Sequence, residues 1–168
     1  NNLKYLFFFF IMLPRFFLFC LMLLITASPL YAATQEPKSF AVLPFSINGP
    51  EKYRYLSQGV QSMLTSRLSW EERFVPVDDS KINVNSKDID SVDKARESLS
   101  ALQADYLVWG SVNIMEKQSS LDIKILEKGT DEVISRSSQT ALNDLIPSLE
   151  TMSKQINAQV FDRQTEIK

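Results

Sequence analysis

The sequence predicts an α/β domain: a mixed five-stranded sheet with three helices, in the order β-α-β-α-β-β-β-α. Three observations predict it. Short apolar runs alternate with helical stripes through the first half of the chain beyond residue 38. Three strand patterns separated by short turns follow. A last amphipathic stripe closes the sequence. The first three strands, joined by helical crossovers, are expected to run parallel, and the last three to form an antiparallel meander.

The elements read in order as follows. Residues 33–38 are polar, contain Pro37 and form a flexible lead-in. The first strand is 39–46 (SFAVLPFS). Pro44 has no donor, which places it at a strand end or an edge. Asn48-Gly49-Pro50 is a turn signal. Over 53–70, Leu56, Val60, Met63, Leu64 and Leu68 recur at helical spacing. A second short strand spans 73–78 (RFVPVD), and 79–90 is a polar loop with room for a helical turn. Ser91 is the N-cap of a helix over 92–102, with Val92, Ala95, Leu99 and Leu102 on one face. Residues 105–116 (DYLVWGSVNIME) are nearly apolar at their centre, the mark of a strand buried on both faces. Strict alternation over 120–126 gives a strand with one wet face. Lys128-Gly129-Thr130 turns into a strand over 132–140. The last helix, 142–161, carries Leu145, Ile146, Leu149, Met152, Ile156 and Val160, with Pro147 in its first turn, where a missing donor costs little.

Residues 1–32 differ from the rest. They contain no Asp or Glu and only Lys4 and Arg15 as cations, and the 136 residues that follow carry 16 basic and 20 acidic groups, a net charge of −4. Arg15, the apolar run 16–27, Pro29 and the small residues at Ala32-Ala33 make a secretory signal peptide cleaved after Ala32. Met12 would open such a signal by itself, so translation is expected to start there. The other reading joins 5–25 into an uncleaved membrane anchor of about 20 residues, against which Pro14-Arg15 argues. Cys20 lies inside the apolar core with Phe17-Leu18-Phe19 before it, not at a lipoprotein cleavage site. A mature chain without cysteine can form no disulfide and is held by its core alone.

Composition excludes several chemistries. Without histidine there is no Ser-His-Asp triad, Cys-His pair or imidazole zinc site. A mildly acidic domain is a poor nucleic-acid binder. Gly110-Ser111 and Ser57-Gln58-Gly59 are not nucleophile elbows, and the four glycines are scattered, so no phosphate-cradling loop exists. Gly110 is expected to relieve crowding in the central strand. The acid clusters Glu71-Glu72, Asp78-Asp79 and Asp88/Asp90 read as solvated turns. No catalytic residue, cofactor or metal site is expected. A small-ligand or metal-ion sensor using the acidic 78–90 loop is kept as an alternative, although no calcium-loop spacing is present. Trp109, Tyr106 and Phe45 are assigned to the core by their strand positions. Tyr53-Arg54-Tyr55 is different, since it follows a turn at a helix start, and Tyr and Arg are enriched in interface hot spots. The expected partner-binding surface is therefore Asn48, Gly49, Tyr53, Arg54 and Tyr55. Packing at a helix start with a solvated arginine is the bland alternative.

The segments SFAVLPFSINGPEKYRYLSQGVQSMLTSRLSW, ADYLVWGSV and DLIPSLETMSKQINAQVF resemble the N-terminal module of bacterial VCBS/FG-GAP repeat-containing proteins. That module is similar to the TolB N-terminal domain and, more distantly, to CsgG-like envelope domains. The similarity spans 39–163, leaving 164–168 as a tail or linker, and its motifs are structural rather than catalytic. It implies a non-enzymatic, periplasmic or secreted domain, with outer-membrane association as an option, that binds envelope proteins; the acidic charge balance adds that no nucleic acid is expected as a partner. Membrane contact is expected only if the leader is uncleaved, in which case a membrane-anchored periplasmic assembly factor is the alternative. In those proteins a β-propeller follows the module, so this chain is expected to be either the first part of a longer protein or a stand-alone module. The lack of a lipid-attachment cysteine separates it from the secretion-channel branch, and no pore is expected.

Overall fold

The computed structural model describes residues 36–162. The leader 1–32, with Met12 and Cys20, and the tail 164–168 lie outside the described residues. Of the lead-in only its last residues are described, and Lys38 already belongs to a strand. The elements are β1 (Lys38–Val42), β2 (Ser46–Asn48), α1 (Leu56–Leu68), β3 (Phe74–Pro76), α2 (Val92–Ala101), β4 (Tyr106–Met115), β5 (Gln118–Glu127), β6 (Val133–Ala141) and α3 (Leu145–Gln159). Single 3-10 turns at Glu51–Tyr53, Asp79–Lys81, Ser86–Asp88 and Leu142–Asp144 connect them.

The sheet has six strands, ordered β3-β1-β4-β5-β6 with β2 also paired to β4. The expected five becomes six, and the order opens β-β-α, because the first apolar run splits at its proline. The Leu43 amide still donates to the Val108 carbonyl at 2.8 Å. The next amide that would face β4 is that of Phe45, and it donates instead to the Ser57 carbonyl at 3.3 Å, so the ladder stops there. Pairing resumes at Ser46. β1 runs beside Tyr106–Val108 and β2 beside Ser111–Asn113, along the same side of β4. The Gly110 amide, opposite the break, donates instead to Ser86 Oγ at 3.1 Å, and the Ser86 amide donates to the Pro44 carbonyl at 3.0 Å. Three residues, 43–45, stand against two of β4 across this break, and one buried serine from the 79–90 loop supplies the hydrogen bond that the bulged run does not make. Gly110 is obligatory here, since a Cβ would stand 1.9 Å from the Asp122 carbonyl oxygen and 2.7 Å from Phe45 Cε1.

β1 is parallel to both β3 and β4, whereas β4, β5 and β6 form the antiparallel meander. Side-chain alternation then builds two cores. On one face Val42, Val108, Leu121, Ile123 and Ile125 meet Val60 and Leu64 of α1 and Leu149, Met152 and Ile156 of α3. On the other, Ala41, Leu43, Leu107, Trp109 and Leu126 meet Ala95 and Leu99 of α2. β4 is consequently buried on both faces along Tyr106–Gly110. Its second half emerges from under α2, and Ser111, Asn113 and Met115 face outward.

Helix boundaries follow local chemistry. α1 begins at Leu56, the first residue of its hydrophobic stripe, and not at residue 53, because the preceding turn is 3-10. Ser91 Oγ accepts from the Lys94 amide at 3.3 Å and so caps α2. In α3, Leu145, Leu149, Met152 and Ile156 are buried, but Ile146 lies a quarter-turn off that stripe and is 51% exposed. Gly129 takes φ +83° in the β5–β6 turn, a conformation that glycine adopts without strain.

Candidate functional site

The predicted partner-binding residues follow β2, where the chain turns from the sheet into α1. They divide into anchors and free side chains. Asn48 Nδ2 donates to Asn113 Oδ1 at 2.7 Å, and Asn113 Nδ2 in turn donates to Ser120 Oγ at 3.0 Å and Asp122 Oδ2 at 3.3 Å. This polar ladder crosses three strands on the open side of the sheet. Gly49 lies against β4, where a Cβ would come within 2.9 Å of Ile114 Cβ. Tyr53 is half-buried against the core, with Lys52 Nζ 4.9 Å from its ring centre. These three residues position the loop.

Arg54 and Tyr55 are the free pair. Tyr55 is 69% exposed. Among the described residues the Arg54 guanidinium makes an exposed 3.6 Å pair with Glu51, of the kind that contributes little. The backbone beneath them is stitched down. Tyr53 and Arg54 amides donate to the Pro50 and Glu51 carbonyls, and Ser57 Oγ donates to the Phe45 carbonyl at 2.7 Å. An aromatic and a guanidinium thus stand on a rigid turn at the end of the sheet where the parallel strands β2 and β4 finish.

That end carries two further exposed apolar residues that sequence reading did not single out. Met115, 77% exposed, ends β4, and Ile146, 51% exposed, lies in the first turn of α3. The Leu142 amide donates to the Lys117 carbonyl at 2.8 Å, which ties the start of α3 to the β4–β5 hairpin. The missed signal is parity: Met115 is in phase with Asn113 and Ser111, the polar half of β4, not with buried Ile114.

The opposite end of the sheet holds a cleft of about 430 Å³ lined by Lys38, Arg73, Phe74, Tyr106 and Phe161, among others. Phe161 stacks on Phe74 at 4.2 Å and meets Tyr106 edge-on at 5.1 Å. Lys38 Nζ donates to Tyr106 Oη at 3.0 Å and to Glu127 Oε1 at 3.1 Å, and Tyr106 Oη donates to Glu127 Oε1 at 2.8 Å. The hydrogen bonds to Tyr106 and Glu127 raise the Lys38 ammonium above its usual range, which keeps it charged and unsuited to attack a carbonyl. Burial pushes the Tyr106 phenol up as well. Burial also acts to raise Glu127, but the hydrogen bonds from Tyr106 and Lys38 outweigh it and hold the carboxyl low. This triad clamps three strands together and supplies no general acid or base near neutrality.

The acidic loop is occupied by its own turns. Asp78 Oδ1 accepts from the Ser80 amide at 2.9 Å, and Asp88 Oδ2 accepts from the Asn85 amide at 3.1 Å. Among the described residues no three His, Cys, Asp or Glu side chains converge as metal ligands. Phe45, Tyr106 and Trp109 are all buried, so none offers a stacking platform.

No family model matches the sequence, and no curated protein matches it. Solved structures do. The chain is similar to TolB from Acinetobacter baumannii, with a TM-score of 0.57 and 11% identity over 80% of this chain and 31% of that one. A dodecameric PelC variant from Paraburkholderia phytofirmans gives 0.49 and 10% identity, over 76% and 91% of the two chains. Lipoprotein GNA1162 from Neisseria meningitidis gives 0.47 and 15%, over 77% and 100%. This chain therefore spans about a third of the length of that TolB, and at such identity the likeness concerns the fold: a TolB-like mixed α/β sheet.

Proposed function

We propose that this chain is a non-enzymatic, exported domain of the bacterial envelope that docks partner proteins, the N-terminal module of a larger repeat-containing protein. The observation that carries the docking surface is Tyr55 beside Arg54, exposed on a turn that Asn48, Gly49 and Tyr53 hold in place. An interface anchor gains most when it is ordered before binding, because little side-chain or loop entropy remains to be lost. Tyr and Arg are also the side chains that most often dominate interface energetics. Export is supported by the signal-like composition of 1–32, and an envelope role by the TolB-like fold.

A photo-reactive phenylalanine analogue at position 55 tests the surface in living cells, with exposed position 71, in the turn beyond α1, as control. The expected result is one discrete adduct from position 55 that is absent from position 71. Adducts equal at both positions, or none at 55, would remove this surface. In a matched capture assay, Arg54→Ala with Tyr55→Ala is expected to abolish recovery of that same partner while leaving the melting midpoint unchanged. Intact mass of the native protein tests export and extent together: 33–168 indicates a cleaved stand-alone module, and a much larger mass a longer protein.

A further inference from the structure

The two edges of the sheet are unlike. β3 is three residues long and ends on Pro76, features that blunt an edge against pairing. β6 is nine residues long, without proline, and carries one charged residue, Arg136. The β5–β6 ladder continues through the Leu142 amide to the Lys117 carbonyl. Alternation then turns the even-numbered backbone groups of β6 toward β5 and those of Val133, Ser135, Ser137, Gln139 and Ala141 outward.

We propose that this outward edge pairs with the same edge of a second copy, antiparallel about a two-fold axis at Ser137. Full overlap of the nine residues sets Ser137 against Ser137 of the second copy, Ser135 against Gln139 and Val133 against Ala141, all outward-facing on both chains. The strand is self-complementary in this register. The charged residue falls opposite Ser138, not opposite its own copy, so no like charges meet directly, and the Ser and Gln side chains can hydrogen-bond across the seam. A slip that centred the pair on Arg136 would place two guanidinium groups face to face. Each Arg136 is held on its own chain instead, donating to the Ser135 carbonyl at 2.8 Å and to Gln159 Oε1. That carbonyl keeps a second lone pair for the pairing amide. Beside the seam, Ser135, Ser137 and Gln139 are small or flexible polar groups in open solvent, which suits an identical strand better than an apolar-anchored peptide. β4, β5 and β6 stand between β2 and the seam, which leaves Arg54 and Tyr55 uncovered.

Cysteine trapping in the full chain, in a Cys20→Ser background, tests the register in intact cells. At a directly opposed hydrogen-bonded pair the Cα atoms are about 5.5 Å apart, within the roughly 4.4–6.8 Å a disulfide spans. Ser137→Cys is expected to give a disulfide homodimer on mild oxidation. Ser135→Cys is displaced from its own copy by four residues, about 13 Å, and is expected to give none alone, but to give a heterodimer when co-expressed with Gln139→Cys. Ser137→Lys, on an exposed site, is expected to leave the chain folded by circular dichroism and convert the protein to a monomer in sedimentation. A Ser137→Cys chain that stays monomeric or joins a different protein overturns the proposal. So does a Ser135→Cys chain that dimerises equally well.

Discussion

Ser86 and Gly110 show how much one hydrogen bond can carry. The Gly110 amide sits in the centre of the sheet, where an unpaired donor has no access to water, and Ser86 Oγ is its acceptor. Ser86→Ala is expected to cost about 1–3 kcal/mol, the penalty for leaving a buried amide unsatisfied. Gly110→Ala is expected to cost about 3 kcal/mol or more, because the clash is with backbone that cannot move aside. Urea unfolding of the two variants checks both figures. Equal stability of Ser86→Ala and the parent would mean that another group serves the Gly110 amide. Asp105 plays a related part at the sheet's other end. Its Oδ2 accepts from the Ser39 amide at 2.8 Å and from Ser39 Oγ at 3.0 Å, pinning the start of β1 to the start of β4.

At the scale of elements, α3 separates packing from exposure within one turn. Leu149 is fully buried between the sheet and α1, whereas Ile146 projects into solvent. Leu149→Ala is expected to destabilise by about 2–5 kcal/mol, and Ile146→Ala by no more than about 0.5 kcal/mol. Thermal melts distinguish the two. If Ile146→Ala proved as costly as Leu149→Ala, this end of α3 would be covered in the native protein. Gln61 shows the same logic in α1: although polar it is buried, and its Nε2 donates to the Val42 carbonyl at 3.0 Å, next to the break in the first strand.

For the whole molecule, carboxylates held low in the fold couple folding to pH, and Asp105 and Glu127 are the two that are partly buried. Hydrogen bonds from the Ser39 backbone, then from its hydroxyl, hold Asp105 below its usual range. Glu127 is also held low, by Tyr106 and Lys38 against the opposing effect of burial. A carboxyl whose pKa is lower in the folded than in the unfolded chain contributes stability above the unfolded value, about 4. That contribution disappears as pH falls through the lower folded value. The melting midpoint should therefore drop as pH is taken from about 5 down to 2, and Asp105→Asn should flatten that drop while lowering the midpoint at neutrality. A parallel pH profile for the variant would show that Asp105 is not linked to folding. Lys38, raised by its hydrogen bonds to Tyr106 and Glu127, gives the opposite sign: its contribution holds below its unfolded pKa and is lost at strongly alkaline pH.

Much of the architecture was legible in one dimension, because hydrophobic period reports which side of an element is buried. The alternation over 120–126, the double-sided burial of 105–116 and the stripe of the last helix each appear as β5, β4 and α3. Pro44 also signalled a strand end. It could not show that the chain would rejoin the sheet at Ser46, since β2 exists only because β4 is long enough to offer Ser111–Asn113 as a second partner. The candidate surface was legible as a turn rich in interface-type residues. Which of them are anchors was decided by neighbours distant in sequence: Asn113 and Ile114 hold Asn48 and Gly49, and the core takes Tyr53, leaving Arg54 and Tyr55 outside. By itself the sequence determined the three helices, the directions of the long strands and which of their faces are apolar, all properties of local period and connection length. Tertiary structure alone decided the return of the chain to the sheet at Ser46, the Ser86 bridge and, among the described residues, the unpaired outer edge of β6. Each of these depends on where the elements stop covering one another, which no local pattern encodes.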